Sequence, residues 1–158
     1  MNPRTTHINA APTFCYPKGR LLKLQGILSA EEINKTLNKN DNNKPKRYVI
    51  KRGLTTHTTI GRLNGFESHV RHHLAPDSSN SVEVAVIPYD SDSGPFSRFG
   101  DSGSIIVDAL GKFVALLTSG TGPSESSDIT FGSPMYWLWE VIKEKYPDAN
   151  LDFEDDGN

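Results

Sequence analysis

From Arg47 to Gly132 the chain is a succession of short apolar and β-branched segments, each ended by glycine or by a polar break. This pattern limits the possible folds more than any other feature. Tyr48-Val49-Ile50-Lys51 is bounded by Gly53, Thr55 to Leu63 alternates through several threonines with a break expected at Gly61, and Glu67 to Leu74 continues as a strand. Val82 to Ile87 alternates and then runs apolar, as a half-buried then buried strand does. Ser104 to Val107 and Phe113 to Leu117 flank Asp108-Ala109-Leu110-Gly111, a turn in which glycine can supply a positive φ. Ile129-Thr130-Phe131 is short and stops near Gly132. About six strands at such spacing predict an all-β architecture, a six-stranded antiparallel β-barrel.

The flanks read differently. Residues 1–18 hold Pro3, Pro12 and Pro17, show no sustained period, and are expected to be an irregular N-terminal arm. Residues 19–46 form a connecting segment: Arg20 to Leu28 has the look of a short strand, Ser29-Ala30-Glu31-Glu32 is a capping box, and a short helix over Ala30 to Leu37 follows from it. Asn38 to Lys46 is polar and reads as a surface loop. Met135 to Tyr146 carries Met135, Leu138, Val141 and Ile142 at helical spacing and ends at Pro147, so a C-terminal α-helix closes the barrel region, 47–147. Of its Trp137 and Trp139, one is expected in the core and the other partly exposed. Residues 148–158 are an acidic tail, expected to be solvated.

Bulk properties exclude several classes of function. Seventeen basic residues against nineteen acidic ones give −2, which lacks the basic footprint of a nucleic-acid binder. No apolar run approaches the roughly 20 residues of a membrane span, and 1–13 lacks an apolar stretch of signal-peptide length. The compartment is not legible. The single Cys15 excludes an intrachain disulfide and, lying in the arm without a local base, reads as inert. His69, His72 and His73 form a His-x-x-His-His group, but without a partnering cysteine a polar strand end is the better reading than zinc. No metal and no cofactor is expected.

One segment carries chemistry: Gly100-Asp101-Ser102-Gly103-Ser104. A serine nucleophile needs an exposed hydroxyl on a tight turn and amide N–H groups aimed where oxyanion charge develops. Glycines on both sides of Ser102 allow such a turn and leave room for a substrate backbone. The G-x-S-x-G elbow does not fit, because its last position is Ser104 and Ile105-Ile106-Val107 reads as a strand where the elbow needs a helix. Taken alone, the segment is better read as a polar glycine turn between strands.

Its surroundings are more specific. The Gly100 to Ser104 segment resembles the nucleophile loop of chymotrypsin/trypsin-like serine proteases, and the likeness continues in register. Val49-x-Lys51-x-Gly53-x-x-Thr56-x-x-Thr59-x-Gly61 is similar to the opening hairpin of the second barrel in that superfamily. Leu116 to Gly120 is similar to the strand that pairs with substrate, and Asp128 to Pro134 to the last strand of the specificity pocket. Together with Tyr16-Pro17, Arg20 to Gly26 and the Ser-x-Glu-Glu step, these resemble most a group of fungal, trypsin-like homologues. The resemblance implies a serine endopeptidase acting on peptides or proteins. Ser102 would be the nucleophile, and the amides of Gly100 and Ser102 the oxyanion hole. Asp101 would hold the loop in shape. Phe96 would form the pocket base with Ser97 beside it, and Thr118, Ser119 and Gly120 one wall, with Phe131 to Ser133 as another. With Phe96 there, a preference for basic side chains is not expected.

The family's catalytic His and Asp lie upstream of everything matched, so the resemblance implies the C-terminal barrel only. His57 falls at the bend of the matched hairpin and does not correspond to the catalytic base. Three readings follow: a truncated gene product or incomplete gene model of a protease, inactive alone; a non-catalytic peptide- or protein-binding module; or one half of a split enzyme whose base comes from another chain. A lone second barrel would also expose its inter-barrel face and be prone to self-association.

Overall fold

The computed structural model describes residues 22–34, 47–73, 78–121 and 129–151. Six strands, β1 (Tyr48–Gly53), β2 (His57–His73), β3 (Ser78–Pro88), β4 (Ile105–Asp108), β5 (Phe113–Gly120) and β6 (Thr130–Pro134), follow a short helix α1 (Ala30–Asn34) and precede helix α2 (Met135–Lys145). The strands close into a barrel in the order β1-β2-β3-β6-β5-β4, every pairing antiparallel. Closure is made by β1 on β4, with Ile50 opposite Val107. A barrel of this kind leaves no unpaired sheet edge along its paired length. The expected all-β barrel with a C-terminal helix is borne out.

Alternation along the strands fills the inside. Val49, Leu63, Val86, Phe96, Ile106 and Val114 belong to one buried cluster. Each such side chain contributes on the order of 1.5–3 kcal/mol of burial. A second cluster, Ile50, Val107, Phe113 and Met135, receives Leu138 and seats the start of α2 on the barrel.

Several sequence expectations are corrected. No break occurs at Gly61: β2 runs through it, because a Cβ there would come 2.7 Å from Phe96 and Val86, so the glycine serves close packing rather than a bend. The irregularity in β2 lies further on, between Asn64 and Glu67, as a bulge against β3. The last strand does not stop near Gly132 but reaches Pro134. In α2, Val141 is exposed, and the helix contacts the barrel through Met135, Tyr136 and Leu138 instead. Trp137 is exposed and Trp139 half-buried, so neither sits fully in the core.

The segment before α1 is not a strand. It makes one parallel bridge, Ile27 to Phe113, and Gly26 with φ of 69° turns the chain out of an extended path. It still docks firmly. Gln25 N donates to Gly111 O at 2.9 Å, Phe113 N to Gly26 O at 3.0 Å, and Leu28 N to Phe113 O at 2.8 Å. Leu28 and Ile33 complete the main core. The capping box forms as the sequence indicates, Glu32 N to Ser29 Oγ at 3.2 Å and Ser29 N to Glu32 Oε2 at 3.1 Å. The helix is described to Asn34; its expected continuation to Leu37, the loop to Lys46, the arm 1–18 with Cys15, and residues 152–158 of the acidic tail lie outside the described residues.

Candidate active site

The Ser102 turn joins the Phe96 region to β4 and is shaped from beneath. Gly100 and Gly103 have φ of 96° and 83°, values that an L side chain rarely adopts, so the two glycines flanking Asp101-Ser102 are required by the turn itself. Asp101 N donates to Arg98 O at 3.0 Å, and Ser104 N and Oγ both donate to Asp101 O, at 3.1 and 2.6 Å. Gly103 N donates to Leu117 O at 2.8 Å and Leu117 N to Ser104 O at 2.9 Å, which lays the turn along β5.

Asp101 points inward and is fully buried. Its Oδ1 accepts from Thr55 N at 2.8 Å and Thr56 N at 3.2 Å; its Oδ2 accepts from Thr56 Oγ1 at 2.6 Å and Arg98 N at 3.0 Å. The Lys51 ammonium lies 3.1 Å from Oδ2, and both side chains are 0% exposed. Lys51 also donates to Thr56 Oγ1 and to His57 O, and its charge sits 5.8 Å from the centre of the Phe96 ring. Burial alone pushes the Asp101 carboxyl up, but the donors from Thr56, Arg98 and Thr55 outweigh it and hold the group well below the usual carboxylate range. Burial lowers the Lys51 ammonium from its ordinary value, and Asp101 opposes that shift. Gly53 is part of the same assembly: a Cβ there would meet Asp101 Oδ1 at 2.3 Å. A second link is Thr55 Oγ1 to Phe99 O at 2.9 Å.

Above this buried layer Ser102 is exposed. Its Oγ donates to Thr118 O at 3.4 Å, a long contact. Among the described residues no imidazole or carboxylate takes the Ser102 proton, and no acceptor takes the amide proton of Gly100 or Ser102. His57 is exposed at the start of β2 with φ of 56°, and His69 is exposed on the same strand. His72 and His73 continue β2. Among the described residues no group of three or more His, Cys, Asp or Glu could hold a metal ion.

The other singled-out residues fall around this end of the barrel. Ser97 Oγ lies 2.6 Å from Thr130 Oγ1, and Gly120 borders Ser97. Thr118 and Ser119 are half-buried and Gly120 is exposed. Phe96 is 1% exposed with its ring in the core cluster, while its carbonyl accepts from Thr59 Oγ1 at 2.6 Å. Two charged residues were given no role by sequence. Lys51 shares the inward parity of Val49 on β1, which is the signal that marks it. Glu83 alternates with valines and reads as outward-facing, yet it is 2% exposed, with Thr118 Oγ1 at 2.9 Å and Ser133 Oγ at 3.3 Å from its carboxylate oxygens.

No protein-family model and no curated protein matches the chain. Among solved structures, the chain is similar to a chymotrypsin from Cellulomonas bogoriensis, with a TM-score of 0.44 and 20% identity over 66% of this chain and 49% of that one. It is also similar to an HtrA-type protease solved with a decapeptide, with a TM-score of 0.39 and 19% identity over 73% of this chain and 33% of that one. The chain thus spans half or less of the length of either protease.

Proposed function

We propose that this chain carries the nucleophile half of a serine endopeptidase site of the chymotrypsin/trypsin-like kind, and that it is inactive on peptide bonds by itself. The observation that carries the reading is the buried Lys51–Asp101 pair under an exposed Ser102. A glycine turn that merely connects two strands gains nothing from two desolvated charges, which cost several kcal/mol each to bury. A turn that must hold one hydroxyl and two amides in fixed directions does.

In the reaction the Ser102 oxygen would form a bond to the scissile carbonyl carbon while a base takes its proton. The resulting oxyanion would be met by the Gly100 and Ser102 amides. The C–N bond would then break, the amine taking the proton back from the base, and water would release the acyl group by the same route. Thr118, Ser119 and Gly120 would line the substrate, with Ser97 and the Phe96 backbone at the pocket base. The missing part is the base, which on this reading arrives from a further segment or another chain, with its orienting carboxylate. Loss of the triad serine or histidine costs on the order of 10⁶ in turnover in subtilisin, so the chain alone would leave peptides intact. No metal or cofactor enters this scheme.

A non-catalytic peptide-binding module is the second reading, and the absence of a base on Ser102 among the described residues favours it for the isolated chain. Exposed apolar side chains next to the turn, Leu54 and Phe99, suit either a peptide or a second copy of the chain. The two readings separate by covalent labelling. A fluorophosphonate probe should modify the chain very slowly, and supplying a segment with the His and Asp should accelerate labelling in a way that Ser102→Ala abolishes. Labelling unchanged by Ser102→Ala in that complemented state would contradict the nucleophile assignment and leave the binding module.

A further inference from the structure

We propose that Glu83 is the positioning residue for the base that serves Ser102, so that an incoming segment need supply only an imidazole and no carboxylate of its own. The proposal rests on the nucleophile reading above and names the chemistry of the partner which that reading requires. Three carboxylates are buried among the described residues: Glu83, Asp101 and Asp108. Asp101 and Asp108 each take backbone N–H donors and a cation. Glu83 takes neither among the described residues. Its oxygens meet two hydroxyls, Thr118 Oγ1 at 2.9 Å from Oε2 and Ser133 Oγ at 3.3 Å from Oε1. An ionised carboxylate can accept about four hydrogen bonds, so Glu83 keeps room for an N–H donor. Burying a charge without a cation is unfavourable, and strand pairing does not ask for one there: Glu83 sits opposite Ser68 of β2.

One residue, Thr118, stands between this carboxylate and the nucleophile. Its backbone oxygen accepts from Ser102 Oγ at 3.4 Å, and its own hydroxyl donates to Glu83. Thr118 lies where β5 slips its register on β6, between Leu117 and Ser119. Its hydroxyl has one proton and a second acceptor, Phe131 O at 3.2 Å. Turning to Phe131 O releases Glu83 Oε2 without leaving the hydroxyl unpaired. Thr118 and Ser133 are themselves half-buried, so the carboxylate lies one side chain beneath the surface. An imidazole seated over Thr118 donates its N–H to Glu83 and turns its other nitrogen to the Ser102 proton, the division of labour a general base needs. The imidazolium formed as Ser102 attacks then faces the same carboxylate, which stabilises it. Glu83 thus fixes the tautomer and direction of a ring that this barrel does not itself provide.

The test uses the full chain, a fluorophosphonate and free imidazole as the base, at about pH 8, where imidazole is neutral. In the labelling step a bond forms from Ser102 Oγ to phosphorus, the P–F bond breaks, fluoride leaves, and imidazole takes the hydroxyl proton. The readout is the ratio of the rate with imidazole to the rate without it, which a merely structural role for Glu83 would not move. For the unaltered chain we expect the rate to rise with imidazole to a plateau at least about tenfold above the unassisted rate. Glu83→Gln keeps the size of the side chain and removes the charge; the plateau should vanish, leaving a weak linear dependence. Glu67→Gln, which removes an exposed carboxylate on the neighbouring strand, should keep the plateau. A second measurement needs no variant: the Thr118 and Ser133 amide shifts of the unaltered chain should move saturably with imidazole. A strictly linear rate and unsaturated shifts in the unaltered chain, or a plateau retained in Glu83→Gln, would overturn the proposal. Either result leaves the nucleophile reading standing, since that reading fails only if labelling survives Ser102→Ala.

Discussion

Strand β4 is bracketed by two buried aspartates, and they solve different problems. Asp108 closes the β4–β5 turn locally: its Oδ1 accepts from Leu110 N and Lys112 N, each at 2.9 Å, and its Oδ2 from Arg47 at 2.9 Å. Asp101 opens β4 from the other side, and its donors Thr55 and Thr56 come from the β1–β2 turn, 45 or 46 residues away in sequence. Arg47 is 28% exposed, whereas Lys51 is wholly buried. The first aspartate makes a turn that any hairpin needs. The second ties the Ser102 turn to the sheet through a desolvated ion pair, which fixes the direction of the turn more than it adds net stability.

The comparison breaks most visibly if the two cations are removed in turn. Lys51→Met should destabilise by about 3–5 kcal/mol, because an uncompensated charge stays buried. Arg47→Met should cost only about 1–2 kcal/mol, since solvent reaches that pair and the amide donors remain. Urea unfolding of both variants at low and high salt is the check. Added salt should weaken the Arg47 pair and hardly affect the Lys51 pair. Equal losses would erase the distinction.

A smaller effect is expected at Gly53. Gly53→Ala drives a methyl into the Asp101 carboxylate and should cost about 1–3 kcal/mol. Hydrogen exchange should place the loosening in the Ser102 turn and spare the β4–β5 turn. Loosening at Asp108 instead would show that the two turns are coupled.

Much of this contrast is readable in advance and part is not. The strands, the capping box and the closing helix follow from local patterning, which neighbours in sequence decide. So does the Asp108 turn, whose backbone donors lie within four residues of it. The Gly-Asp-Ser-Gly turn is recognisable too, but the reason it keeps its shape is not, because Thr55 lies 46 residues away in sequence, in the β1–β2 turn, and Lys51 further still, on β1. A lysine at inward parity on β1 is the trace it leaves in the sequence. Gly61 and Gly26 mislead in opposite directions: the first is needed for contact with Phe96 inside a continuous strand, the second ends what looks like one. Glu83 is hidden because its two hydroxyl partners come from β5 and β6.

The smallest effect belongs to a surface pair. The Lys112 ammonium, at 2.7 Å, and the Ser29 cap hold the Glu32 carboxyl down at about 2. A depressed folded value means that stability is fully present above the unfolded value near 4.5 and is lost as pH falls from there toward about 2. Both groups are about a third exposed, so screening limits the loss to about 0.2–1 kcal/mol, measurable as a gap between wild type and Glu32→Gln that closes on acidification.

The central claim, a shaped nucleophile without a base, is tested most directly by the pH dependence of fluorophosphonate labelling of the full chain. A serine lacking a general base should react at a rate that climbs with hydroxide, without a plateau through pH 6–9, and Ser102→Ala should remove the modification. A rate that levels off above an inflection near 6.5, the mark of an imidazole base, and that loses the inflection in His57→Ala or His69→Ala, would contradict the account.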